Sequence, residues 1–139
     1  SSSSLLSRRT LAAQRADALL KEVEEEHTDI EPDVLLYTSV IRAWTLVGTR
    51  NAMLKAEALL QHLMKTNYNS KKQKPDETCF NTVINGWAKS NAPDGANRAE
   101  EVLRSFEDWN DPHVKPNVVS YTTVIDAMSR SPNKETVAR

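Results

Sequence analysis

PDVLLYTSVIRAW, residues 32–44, returns twice along the chain, as PDETCFNTVINGW at residues 75–87 and as PNVVSYTTVIDAM at residues 116–128. Each copy opens on Pro and then Asp or Asn. Each carries an aromatic five residues after the Pro (Tyr37, Phe80, Tyr121) and runs through Val-Ile to a bulky residue (Trp44, Trp87, Met128). The copies begin 43 and 41 residues apart. A second segment recurs between them: ADALLKEV from Ala16, AEALLQHL from Ala56 and AEEVLRSF from Ala99. Self-similarity at a period of about 20–50 residues marks a chain of stacked units. Here the order is half a unit, two whole units, then half a unit.

Both segments have helical spacing. Tyr37, Val40, Ile41 and Trp44 fall at i, i+3, i+4 and i+7, as do Phe80, Val83, Ile84 and Trp87. Ala56, Leu59, Leu60 and Leu63 repeat the pattern, as do Ala99, Val102, Leu103 and Phe106. These are apolar stripes of amphipathic helices, and the alternation of a strand is absent. Pro32, Pro75 and Pro116 cannot continue a preceding helix, and each is followed by a residue suited to cap the next one. Gly48 and the stretch 91–95 are turn-compatible. The unit reads helix, turn, helix, loop. One such pair cannot bury its own stripe, so neighbours must stack. The Ala in each stripe lets paired helices approach closely.

Composition bounds the rest. The chain has 139 residues, 39% of them apolar and 27% charged, so a packed core is expected and wholesale disorder is not. Only 3 Gly argue against a turn-rich β protein. A net charge of -1 makes no global case for nucleic acid, so any such case is local. Cys79 is the single cysteine, which leaves no internal disulfide and fits a reducing compartment. No apolar run reaches the roughly 18 residues of a membrane span. The chain does not open on Met and stops inside a helical pattern, so it reads as an excerpt of something longer. Ser1 to Ser4 with Arg8, Arg9 and Arg15 have some transit-peptide character, but residues 1–10 read better as a frayed or disordered end.

In sum these residues resemble the pentatricopeptide-repeat family. Val118-Val119-Ser120-Tyr121-Thr122-Thr123-Val124-Ile125 is similar to the family's opening helix, and Lys74-Pro75-Asp76 and Lys115-Pro116-Asn117 are similar to its closing Lys-Pro-Asp. The resemblance implies an all-α, right-handed solenoid of antiparallel helix pairs. Residues 11–33 would be the second half of a repeat, 34–76 and 77–117 whole repeats, and 118–139 a first half. Both whole repeats are longer than the family's unit. The extra residues are assigned to the turn within each pair (49–54 and 92–97) and to the loop after it (66–73 and 110–113).

The resemblance also implies single-stranded RNA binding at about one nucleotide per repeat. One reading residue directly follows the first-helix aromatic, and the other directly follows the closing Pro. Thr38 thus pairs with Asp76, and Asn81 with Asn117, while Thr122 and Asp33 are half-pairs. By resemblance Thr with Asp favours guanine, and Asn with Asn favours cytosine, then uracil. The implied site reads 5′ to 3′ as G or U, G, pyrimidine, purine. An ionised Asp only accepts hydrogen bonds, which suits guanine's N–H donors, whereas Asn both donates and accepts. Leu35, Thr78 and Val119 would sandwich bases. Lys89 and Arg130 would meet phosphates, with Leu46 lacking that charge. An organellar setting, mitochondrion or plastid, and a role in RNA processing, stability, editing or translation follow from the resemblance alone. A further reading, consistent with the near-neutral charge, is a scaffold in a large ribonucleoprotein or RNA-processing complex, its groove contacting other proteins and RNA together.

Plainer readings stand beside these. Asp33, Asp76 and Asn117 also fit as simple helix caps. Thr38, Asn81 and Thr122 also fit a solvated helix face. Trp44 and Trp87 share their stripe with Val40, Ile41, Val83 and Ile84 and read as core rather than as base-stacking platforms. Lys71, Lys72 and Lys74 read as a solvated loop, and Glu22, Glu24, Glu25, Glu26 and Asp29 as a solvated face. His27, His62 and His113 are scattered, and one Cys excludes a local Cys-x-x-Cys zinc site. No Gly-rich phosphate loop is present. Neither an enzyme, a metal, a cofactor nor a small-molecule substrate is expected. The competing function is a protein-binding solenoid of the tetratricopeptide kind, whose Trp, Leu-Gly and Ala-x-x-x-Phe pattern fits poorly.

Overall fold

The computed structural model describes residues 2–25, 32–66 and 74–131. Glu26, His27, Asp29, Lys71 and Lys72 therefore lie outside the described residues. The described chain is all-helical: α1 Ser2–Glu25, α2 Val34–Val47, α3 Arg50–Thr66, α4 Glu77–Lys89, α5 Gly95–Glu107 and α6 Val118–Arg130. No helix among them is long and apolar enough to cross a membrane.

The helix starts follow from their caps. Asp33 and Asp76 each accept a hydrogen bond at 2.9 Å from the amide three residues on, of Leu36 and Cys79. Asn117 accepts from the Ser120 amide at 3.1 Å, and the Ser120 hydroxyl accepts in return from the Asn117 amide at 3.2 Å. Helix α2 ends on Gly48 at φ 78°, a left-handed conformation that glycine adopts without steric cost.

Three boundaries differ from the expectation. Helix α1 begins at Ser2, so the stretch expected to fray is helical. The Thr10 hydroxyl donates to the Leu6 carbonyl, and the Arg9 guanidinium reaches the Leu46 carbonyl at the end of α2. The residues assigned to a long turn at 49–54 instead extend α3, which starts at Arg50 because the Thr49 hydroxyl accepts from the Ala52 amide. The equivalent stretch at 92–97 is split, with α5 starting at Gly95.

Each helix packs on the next in sequence, and α4 also packs on both α2 and α6. No comparable packing joins α1 to α3 or α3 to α5. The stripes meet in one core, where Tyr37, Ile41, Trp44, Phe80, Ile84 and Trp87 are buried. Trp44 and Trp87 are thus core residues. Helix α6 has no following helix among the described residues, and Ile125 is 63% exposed where Ile41 and Ile84 are 0% and 1%.

Two polar devices recur between successive pairs. The Tyr37 and Tyr121 hydroxyls each donate at 2.6 Å to a carboxylate of the preceding helix, Glu24 and Glu107. Burial, and then the Glu24 carboxylate, raise the Tyr37 phenol above its ordinary range. Phe80 has no hydroxyl, and Met64 stands where the other pairs have Glu; the Phe80 ring stacks on Phe106 at 4.5 Å. The second device centres on tryptophan. Trp87 Nε1 donates to Glu57 Oε1 at 2.8 Å, and Arg98 both lies over the Trp87 ring and pairs with Glu57 Oε2 at 3.1 Å. Lys55 lies over Trp44 in the same way, 5.1 Å from the ring centroid. The carboxylate at the matching position is Asp17, one methylene shorter than Glu57, and it pairs with Lys21 at 3.3 Å. Trp44 Nε1 is buried and has no partner.

Asp17→Glu should therefore close the first clasp as Glu57 closes the second. It is expected to raise stability by about 1 kcal/mol, the net value of one added hydrogen bond. Thermal unfolding measures this, and an unchanged or lower midpoint would show that the shorter side chain is not what leaves Trp44 Nε1 unpaired.

Candidate nucleic-acid interface

Three first-type helices, α2, α4 and α6, pack side by side, and a groove of about 630 Å³ runs across them. Thr78 and Asn81 of α4 line it with Val119 of α6, so three of the residues singled out in the sequence share one cavity. Val119 is 66% exposed, and Thr78 is exposed at the start of α4. Leu35, the first of the expected sandwiching residues, is also solvent-facing but does not line this groove.

The proposed reading pairs are brought together by shared neighbours. The Ser120 hydroxyl donates to Asn81 Oδ1 at 2.7 Å and lies 3.3 Å from Asn117 Oδ1. One hydroxyl thus links Asn81 to Asn117, two residues 36 apart in the chain. In the preceding pair, Cys79 takes the same place. Its sulfur lies 3.0 Å from Thr38 Oγ1, while its amide donates to Asp76. Burial pushes the Cys79 thiol up to about 11, so it is protonated at neutral pH and can donate. Sequence reading missed both linkers. The available signal was that Cys79 and Ser120 occupy the same position and are both small hydrogen-bonding residues.

The face that carries these residues is not uniform. Asn81 is half-buried, and with Oδ1 engaged its amide donor remains for the groove. Thr122 is exposed, its hydroxyl donating to the Val118 carbonyl at 2.7 Å. Thr38 departs from a solvated or base-facing position. It is only 6% exposed, and its hydroxyl donates to the Val34 carbonyl at 2.7 Å. The cause is tertiary: Cys79 of α4 closes over it, whereas Thr122 makes the same bond to the carbonyl four residues back and stays exposed. Asp33, Asp76 and Asn117 are all engaged as caps, with Asp33 and Asn117 exposed and Asp76 half-buried.

Lys89 and Arg130 come together in a second cleft of about 200 Å³ at the C-terminal ends of α4 and α6. Both are exposed, and Arg130 Nε donates to the Asp126 carbonyl. Arg42 is a further exposed cation on these helices, and it was not singled out in the sequence. Against these three stand the exposed carboxylates of Glu77 and Asp126, so the face is mixed in charge. Lys74, expected as a solvated loop residue, is tied to the buried Asp111 at 2.8 Å. That hydrogen bond, with one from the His113 amide, holds the Asp111 carboxyl below its usual range. Among the described residues no group of three His, Cys, Asp or Glu is placed to hold a metal ion. No family model matches the chain, and no curated protein matches it either.

Proposed function

We propose that this chain is part of a right-handed helical solenoid of the pentatricopeptide kind that binds single-stranded RNA along the face of α2, α4 and α6. The observation that carries the reading is the Ser120 bridge. The two residues that a repeat code would use together, Asn81 and Asn117, are linked through one hydroxyl beside an open groove. The tight packing of first-type helices, with none comparable between second-type helices, supports a stack that is concave on the first-type side. The free amide of Asn81 is a donor that cytosine N3 and O2 and the uracil carbonyls can accept. Thr78 and Val119 flank it, where a base could lie between them. Lys89 and Arg130 supply phosphate contacts. An RNA-processing role in an organelle, without catalysis by this segment, follows from the same resemblance.

Fluorescence anisotropy with a single-stranded RNA dodecamer carrying GGCA within uridine flanks tests the reading. Affinity should fall as salt rises, because cationic side chains release counterions from phosphates. Replacing Asn81→Thr together with Asn117→Asp should move the preference at one nucleotide from pyrimidine to guanine, by roughly tenfold, within the 1–3 kcal/mol of a base contact. Equal loss for all four bases would defeat the pairing of these residues. Salt-independent binding would defeat the phosphate-tracking groove.

A further inference from the structure

The first pair lacks a cation where the next two have one: Leu46 occupies the position of Lys89 and Arg130. One helical turn earlier on α2 stands Arg42, whose equivalents in the later pairs are Asn85 and Asp126. The pair that has lost its basic residue at one position thus carries one at the other. Arg42 lines the 630 Å³ groove together with Leu46, Asn81 and Val119. It is exposed and makes no ion pair among the described residues. Two other exposed arginines are committed to carboxylates: Arg50 is forked onto Asp94, and Arg104 bridges Glu100 and Glu107. Glu77 lines the same groove, yet no bond joins it to Arg42.

We propose that Arg42 is a phosphate-contacting residue of this groove, replacing the charge absent at Leu46 and holding the backbone beside the nucleotide that Asn81 meets. The inference rests on the RNA reading above. Four residues of helix rise about 6 Å, a distance that an extended arginine side chain spans. The planar guanidinium can grip a phosphate through two parallel N–H bonds, which a solvated lysine does less well. The groove wall around it is neutral and polar or apolar except for Glu77, so Arg42 is the one positive charge this cavity offers an RNA strand.

The test is the slope of log affinity against log salt, measured with the same GGCA dodecamer on the chain and on Arg42→Gln. Each phosphate contact on a single strand contributes about 0.7 to that slope. Arg42→Gln should flatten it by about that amount, and adding Leu46→Lys to the variant should restore it. Arg42 is exposed, so circular dichroism should be unchanged. If wild type binds with salt dependence and Arg42→Gln keeps the full slope, the role of Arg42 is overturned while RNA binding stands. If wild type shows no RNA binding, the functional reading falls and the assignment of Arg42 falls with it.

Discussion

Trp87→Ala should lower the unfolding free energy by about 4 kcal/mol, the largest single loss expected in this chain. The indole is fully buried and belongs to α4, which packs on α2, α3, α5 and α6. Its removal deletes a large apolar side chain and leaves a cavity that the surroundings cannot close. Helix α5 is already as near as it can be: a Cβ on Gly95 would lie 2.6 Å from the Trp87 carbonyl oxygen. Backbone contact of that kind leaves no room for α5 to slide inward, so the cavity cost is retained in full. Denaturant unfolding measures the effect as a lower midpoint at unchanged slope. A loss below about 2 kcal/mol would mean that the neighbouring helices collapse onto the site after all.

Glu57→Ala is the second large effect, at about 3 kcal/mol. Glu57 is 9% exposed and accepts from Trp87 Nε1, Arg98 and Gln61. Truncation strands the indole N–H inside the core, where an unmet donor costs about 1–3 kcal/mol. The Arg98 contribution is smaller than for a fully buried pair, because that side chain is 25% exposed and already lies 3.8 Å from Glu101. Glu57→Gln keeps an acceptor for the indole and should cost much less. Measured together, Glu57→Ala and Trp87→Ala should cost less than the sum of the two, because each removes the other's partner. Strict additivity would show that the clasp is not a unit. The clasp ties α3 of one pair to α4 and α5 of the next, so its loss should also loosen the spacing between pairs on which the proposed one-nucleotide step rests.

Much of the chain's local structure was legible in advance for a local reason. A helix's apolar stripe repeats every 3.6 residues, and its first turn needs an acceptor, so Tyr37 to Trp44 and Asp33, Asp76 and Asn117 declare themselves within a few residues. Where the signal was weaker, the boundary moved: residues 49–54 look like a turn after Gly48, yet the Thr49 hydroxyl starts α3 immediately. Of the proposed interface, the type and order of residues were visible, and their accessibility was not. Thr38, Asn81 and Thr122 hold one position in the repeat, but they run from buried through half-buried to exposed.

The sequence by itself determined that this protein is helical, where α2, α4 and α6 start, which faces are apolar, and that its pairs repeat. The tertiary structure alone decided that Thr38 is covered by Cys79, that Ser120 joins Asn81 to Asn117, that Arg42 faces the groove, and that Glu57 and not Asp17 reaches its tryptophan. The division has a physical cause. Hydrogen-bonded turns and apolar periodicity depend on neighbours within one or two turns of helix. Burial, bridging and reach depend on which helix lies opposite, and there one methylene or one hydroxyl changes the outcome.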